Sequence, residues 1–242
     1  MNLLLMILAA VAVAFLLAYV IVKYVPLKMR WLVSLLLLAL TIFLGYKIYD
    51  GIMKPIRFDQ NKKIRYAKVI TNLKMIRDAE VKYKQVYGTF TKDKNALINF
   101  IESGKLALTE TKNVIKDVNV GNGLTAKKSF RVVDTTGYES VASFFKGKDY
   151  KNMFKAPGTD KDFTIDIGLV EKIPGLEVPV FEAKIDKASI LKGMDNSLVK
   201  QELEAVTTDQ IKGEFITVGS LSEVTTGGNW PIAYDKGSAE KK

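Results

Sequence analysis

The pattern of hydrophobic and polar positions changes character twice along the chain. From Met1 to Val22 no side chain is charged, and a helix of that length, at about 1.5 Å per residue, covers a hydrocarbon core of roughly 30 Å. A cleaved signal peptide needs a basic start and a shorter apolar centre, whereas the first basic residue here is Lys23, so a retained transmembrane helix over about 3–22 is expected. Lys23 to Arg30 (KYVPLKMR) carries positive charge and a proline and reads as a tight turn, with Trp31 in the position of an interfacial anchor. A second uncharged run, Trp31 to Tyr46, predicts a second span over about 31–49 and a two-helix hairpin within residues 1–50. This second helix runs on through Lys47 and Pro55 without a clear stop signal.

Residues 51–88 read as a basic amphipathic neck helix. Ile64, Val69, Leu73, Ile76, Ala79, Tyr83 and Val86 recur at spacings of three and four, with Lys and Arg filling most of the intervening positions. Gly88 stands where a helix C′ glycine belongs, and Lys82 and Lys84 suit the negative end of the helix dipole. A short helix is predicted over Asn95–Ser103, closed by Gly104. Residues 109–129 read as a polar, exposed and mobile connection, succeeded by a β-prone stretch at Phe130–Asp134 and a short helix within Tyr138–Phe145.

The firmest sheet signal is Asp162–Val170 with Leu176–Ile185 after it, an antiparallel hairpin turned at Pro174-Gly175. Asn196 or Ser197 is expected to cap a helix reaching about Val206, with Leu198, Val199, Leu203 and Val206 on one side. A third strand spans Phe215–Val218. The fold class predicted is therefore a membrane protein of α+β type, with a small antiparallel-sheet domain over 89–235 and a polar tail over 236–242.

Charge changes the picture by where it sits. The chain of 242 residues has a formal charge of +10, but ten Lys or Arg fall between residues 54 and 84 against Asp59, Asp78 and Glu80. Residues 85–242 hold 22 basic and 22 acidic side chains, so the distal domain has no net sign with which to steer a nucleic acid or another polyanion. The candidate interaction residues are accordingly the neck cations Lys54, Arg57, Lys62, Lys63 and Arg65, which lie within a few turns of the apolar run and suit anionic lipid headgroups or an acidic partner. The rival reading is a solvated basic face whose apolar stripe covers the domain core. None of Lys62, Lys63 and Arg65 lies on the Val69, Leu73, Ile76 stripe. Neutralising the three together is expected to loosen assembly and leave the domain folded.

Candidate chemistry is sparse. The chain has no cysteine and no histidine, which removes disulfides, thiolate nucleophiles, Cys-based metal sites and the commonest general base. Asp160, Asp162 and Asp166 lie close in sequence but lack the spacing of a calcium loop, and read as a solvated strand face. Gly227-Gly228-Asn229-Trp230 lacks the Gly-Lys-Ser/Thr ending of a phosphate loop and reads as a turn that lets Trp230 dock. No cofactor, metal or catalytic residue is expected.

Two resemblances extend this reading. Ile70 to Tyr83 (ITNLKMIRDAEVKY), with Gly88-Thr89-Phe90 and then Leu97 to Phe100, resembles the opening of type IV pilin-like and pseudopilin-like domains. In these a membrane helix continues into an extracytoplasmic helix and a small sheet. A polymerising pilin has a basic leader and a glutamate early in its helix, and neither Leu3–Val22 nor Trp31–Tyr46 contains an acid. Pro55-Ile56, Phe58-Asp59, Ile76-Arg77-Asp78-Ala79, Val180-Phe181-Glu182-Ala183-Lys184, Val218-Gly219-Ser220-Leu221 and Gly228-Asn229-Trp230 are similar to an uncharacterised family of inner-membrane-anchored envelope proteins of Bacteroidota, over residues 35–232. That resemblance implies a periplasmic domain on a helix running from inside to outside; the first helix, Met1–Arg30, is an addition to the pattern. Positive charge in both the hairpin loop and the neck leaves orientation open by counting alone, and an out–in–out topology is implied by the resemblance.

The function expected is that of a non-enzymatic structural or scaffold subunit of an inner-membrane, trans-envelope complex. Its partners would be other inner-membrane subunits and periplasmic envelope proteins, in a homo-oligomer or hetero-complex and without nucleic acid. The alternative is a membrane-tethered periplasmic hydrolase or glycan-binding module.

Overall fold

The computed structural model describes residues 3–24, 26–121, 124–204 and 210–236. The chain divides into two compact units, Met1–Arg57 and Phe58–Lys242. The first holds helix α1 (Leu3–Tyr24), a 3-10 turn at Leu27–Met29 and the start of helix α2 (Arg30–Tyr87). The Arg30 guanidinium donates to the Val22 carbonyl at 3.0 Å and so satisfies an acceptor in the last turn of α1. A stretch of α2 is long and apolar enough to cross a membrane, and none of its residues is buried against protein. Leu35, Leu36, Ile42 and Phe43 all stand exposed. α2 runs without a break through Pro55.

The second unit is mixed helix and antiparallel sheet, built around α2 from Phe58 onward. The buried positions are Phe58, Lys62, Tyr66, Val69, Ile70, Leu73, Met75, Ile76, Ala79 and Glu80, the three-and-four spacing of one helix face. The predicted stripe is right at its centre and wrong at its ends, because Ile64 and Val86 are exposed. Carried back from Val69, the face passes through Tyr66, Lys62 and Phe58, and a lysine in that row disguises its continuation. Gly88 ends the helix as expected, at φ +78° with its N–H on the Lys84 carbonyl at 2.8 Å.

Helix α3 (Lys94–Ser103) is capped by the Asp93 carboxylate on the Asn95 N–H and buries Leu97, Phe100 and Ile101. Tyr83 meets the Phe100 ring edge-on at 5.2 Å between centroids. A three-stranded sheet in the order β3–β4–β5 supplies the rest of the core: β3 (Thr164–Ile173), β4 (Leu176–Asp186) and β5 (Phe215–Gly219). Phe163, Ile165, Phe181, Ala183, Ile185, Ile216 and Val218 join the α2 face and α3 in one cluster. Phe90 packs on Phe181 at 4.7 Å.

Of residues 109–129, expected as a mobile connection, 109–121 and 124–129 instead belong to a ribbon of β1 (Lys105–Gly121) and β2 (Leu124–Ser140), paired with each other as a separate two-stranded sheet. Both faces are open to solvent, so polar and β-branched residues alternate without an apolar side, and the period of two that announces a half-buried strand is missing. β2 also takes in Tyr138–Ser140, leaving only Val141–Phe145 as a 3-10 turn where a helix over Tyr138–Phe145 was expected.

After β4 come helices α4 (Lys187–Ile190) and α5 (Asn196–Leu203), and α6 (Ala233–Lys236) comes after β5. The cap of α5 is Asp195, not Asn196 or Ser197; its carboxylate accepts from the N–H groups of Ser197 and Leu198. The continuation to Val206 and the tail beyond Lys236 lie outside the described residues.

The Gly-Gly-Asn-Trp turn closes the sheet edge. The Asn229 side chain accepts from the Thr217 N–H at 3.0 Å and donates to the Phe215 carbonyl at 2.9 Å, and its own N–H reaches the Thr217 carbonyl. A Cβ on Gly228 would fall 2.3 Å from the Trp230 indole, which is why the buried Trp230 has a glycine beside it. At Gly219, φ is +77° and a Cβ would sit 2.1 Å from the Phe181 carbonyl oxygen. Gly219→Ala is therefore expected to lower the thermal midpoint of the purified full chain well beyond Gly175→Ala. The latter shares a positive φ (+82°) but faces open space, leaving only a backbone term of about 1–3 kcal/mol. Differential scanning fluorimetry in detergent compares the two, and equal losses would show that the β4–β5 approach is not tight.

Candidate functional site

The five neck cations separate into two groups. Lys54 pairs with Asp50 at 3.1 Å one turn back in α2, and Arg57 and Lys63 are exposed. Lys62 and Arg65 instead face the domain. The Arg65 guanidinium donates to the carbonyls of Ile190 (2.8 Å) and Lys192 (2.9 Å), holding the end of α4. Lys62 is 6% exposed and sits on the buried face of α2, against the expectation that it stands off the apolar stripe.

Around Lys62 the fold assembles a buried polar cluster. Its ammonium lies 2.8 Å from the carboxylate of Glu202, itself 3% exposed, and 2.8 Å from Asp59 one turn back on α2. The Tyr66 hydroxyl donates to the other Glu202 oxygen at 3.4 Å. Lys187, fully buried, donates to the Ile211 carbonyl and, at 3.5 Å, to the Glu202 carbonyl. Burial pulls the Lys62 ammonium down, but its hydrogen bonds to Asp59 and Glu202 outweigh that and hold it above the usual lysine value. Desolvation pushes the Tyr66 hydroxyl up, reinforced by the Glu202 charge. Lys187 is lowered, first by desolvation and against the attraction of Glu202, with Lys62 adding repulsion. Sequence reasoning reads α5 by its apolar residues and misses Glu202, which takes the buried position one turn after Leu198 and Val199.

Glu80 is the second unusual group. It is 0% exposed; one carboxyl oxygen accepts from the Thr91 N–H at 3.1 Å and the other has no hydrogen-bond partner among the described residues. Desolvation raises it to about 8, with the Thr91 N–H working in the opposite direction.

The three aspartates expected on a solvated strand face do not converge: Asp162 faces Lys94 at 2.7 Å, and Asp166 faces Lys92 at 3.4 Å and Lys184 at 3.7 Å. One open depression is lined by Gly158, Asp160, Lys161, Asp186 and Lys192 among others. Asp186 there is committed to capping α4, accepting from the Ala188 N–H and the Ser189 hydroxyl. Among the described residues no group of His, Asp or Glu side chains is placed to hold a metal ion. Comparison with protein families, with curated proteins and with solved structures found no match.

The expectation that neutralising Lys62, Lys63 and Arg65 leaves the domain intact is overturned by this geometry, since two of the three bind it together. Lys62→Met alone strands Glu202 in the interior and is expected to cost about 3–5 kcal/mol, whereas Lys62→Met with Glu202→Leu recovers most of the loss. Urea unfolding of the two variants tests this, and equal stability of single and double variants would show the pair to be inert. Glu80 gives a second expectation. Its folded value lies above the unfolded one, so the folded state holds the extra proton between about pH 4.5 and 8, and stability falls across that window by at most about 1.4 kcal/mol per pH unit. Glu80→Gln, which keeps the acceptor for Thr91, is expected to flatten that part of the stability profile, measured as thermal midpoint against pH.

Proposed function

We propose that the protein is a non-enzymatic scaffold subunit of a bacterial inner-membrane, trans-envelope assembly, presenting a periplasmic docking domain. In this reading α1 and the first part of α2 form a two-pass anchor, and the neck cations that remain available, Arg57 and Lys63, meet anionic headgroups or an acidic partner. The observation that carries the reading is the ribbon β1–β2. None of its described side chains is buried, while Leu108, Val114, Ile115, Phe130, Val133 and Tyr138 are exposed along it. An isolated two-stranded hairpin is marginal in water, and an unpaired edge is a template for another chain. Such an element is costly to keep unless something covers it.

The assembly is tested by extracting the protein in mild detergent and identifying the chains that travel with it, together with a reporter active only in the periplasm fused after Lys242. A chain that migrates alone and cleaves envelope glycan would replace the scaffold with the tethered hydrolase, and a silent reporter would rule out both periplasmic readings. Arg57→Gln with Lys63→Gln is expected to leave the thermal midpoint unchanged and to weaken association with anionic vesicles by up to about 2 kcal/mol at low salt, an effect lost at high salt. Vesicle flotation at two ionic strengths reads this out.

A further inference from the structure

The charges on the ribbon are arranged badly for a ribbon on its own. On one face Glu110 stands directly opposite Asp134, and six positions further along β1 Lys116 stands directly opposite Lys128. Like charges facing each other across an antiparallel pair destabilise it. Between them on the same face lie Lys112 opposite Val132 and Val114 opposite Phe130. Asn113, at the centre of β1, is on the other face opposite Arg131. β1 pairs only with β2 among the described residues, so its outer edge carries a full row of backbone donors and acceptors.

We propose that two copies of the protein join edge to edge through β1, antiparallel and centred on Asn113, turning two ribbons into one four-stranded sheet. This rests on the docking role proposed for the domain and names the partner as a second copy of the chain. The two-fold register pairs residues equidistant from Asn113 and so uses the whole of Lys105–Gly121. It sets Glu110 of one copy beside Lys116 of the other, twice. Across the four strands the row then reads Asp134, Glu110, Lys116, Lys128: the acidic pair of one ribbon abuts the basic pair of the other, and each relieves its neighbour's repulsion.

Leu108 meets Val118 and Thr111 meets Ile115 in the same register. Slipping it by two residues either way places Lys112 opposite Lys112 or opposite Lys116. The alternative edge, β2 centred on Arg131, matches Lys128 with Asp134 but sets Arg131 against itself. The 3.1 Å contact between Glu110 and Lys112 along the strand is exposed and presents no obstacle. The pairing is isologous and closes at two. The outer β2 edges carry Lys127, Lys128, Arg131 and a bulge beside Thr135, features that discourage further strands.

The chain has no cysteine, so single substitutions report directly. In the full chain in detergent, Asn113→Cys faces its own copy across the axis at a Cα distance of about 4.5–5.5 Å, within disulfide reach. Mild oxidation is expected to give a covalent dimer of twice the chain mass. Thr111→Cys and Ile115→Cys, each about 14 Å from its own copy, are expected to stay monomeric when oxidised separately and to cross-link when mixed. Lys116→Glu in the Asn113→Cys background is expected to cut the dimer yield about tenfold, and adding Glu110→Lys to restore it.

Any of these results would overturn the proposal: no dimer from Asn113→Cys while the second unit stays protease-resistant, equal yields from positions 111, 113 and 115, or a dimer through Arg131→Cys in its place. An adduct of another mass would assign the edge to a different protein and overturn it too. Co-purifying subunits without a covalent dimer would leave the scaffold standing and remove only the self-pairing; a dimer without co-purifying subunits would do the reverse.

Discussion

Between Tyr46 and Phe58 a single helix passes from being apolar all round to being apolar on one side, and the second unit is built on the part that follows. Before it, α2 presents Leu, Ile and Phe in every direction and buries none of them against protein. After it, one face is filled by α3, the sheet and the connecting turns, while the other carries Lys and Arg to solvent. Because α2 continues through both regimes, the domain cannot choose its own spine. Its core is whatever the sequence after Phe58 can fold back onto that face.

That constraint explains the buried charge. Lys62 falls on the inward face, where a bare ammonium would be costly, and Glu202 from α5 and Asp59 from α2 itself both come within 2.8 Å of it. Arg65, one turn on, reaches the carbonyls at the end of α4. Cations that read along the chain as one solvated or lipid-facing row are thus divided by the helix period. Two of them fasten α4 and α5 to α2, and Arg57 and Lys63 are left facing out.

Sequence periodicity reveals the elements that have one dry side. The β3–β4 hairpin, β5, α3 and the middle of the α2 stripe are legible from alternation or three-four spacing, and Gly88 and Trp230 behave as their neighbours suggest. The elements it misses lack a dry side or break the code for one. β1 and β2 are wet on both faces, so only Phe130–Asp134 of the ribbon is legible as β-prone, while Thr109, Thr111 and Ile115 alternate with other polar and β-branched residues and suggest a loop. Lys62, Glu80, Lys187 and Glu202 are charged residues in buried positions, and only the partner from a distant element distinguishes them from surface charges. α4 is four residues long, too short for periodicity to register, although its Asp186 cap is present in the sequence.

The turn around Asn229 bears on the order in which the domain is completed during synthesis. β5 is the outer strand of its sheet, and its free side is sealed by Asn229, with Trp230 folded into the core just beyond. Every other element of the sheet and the α2 face precedes this clasp in the chain. A nascent chain that has emerged as far as Gly219 therefore holds nearly the whole core but keeps an open strand edge and an unfilled tryptophan site. Until Asn229 and Trp230 arrive, that edge and that site stay open, and their arrival closes both.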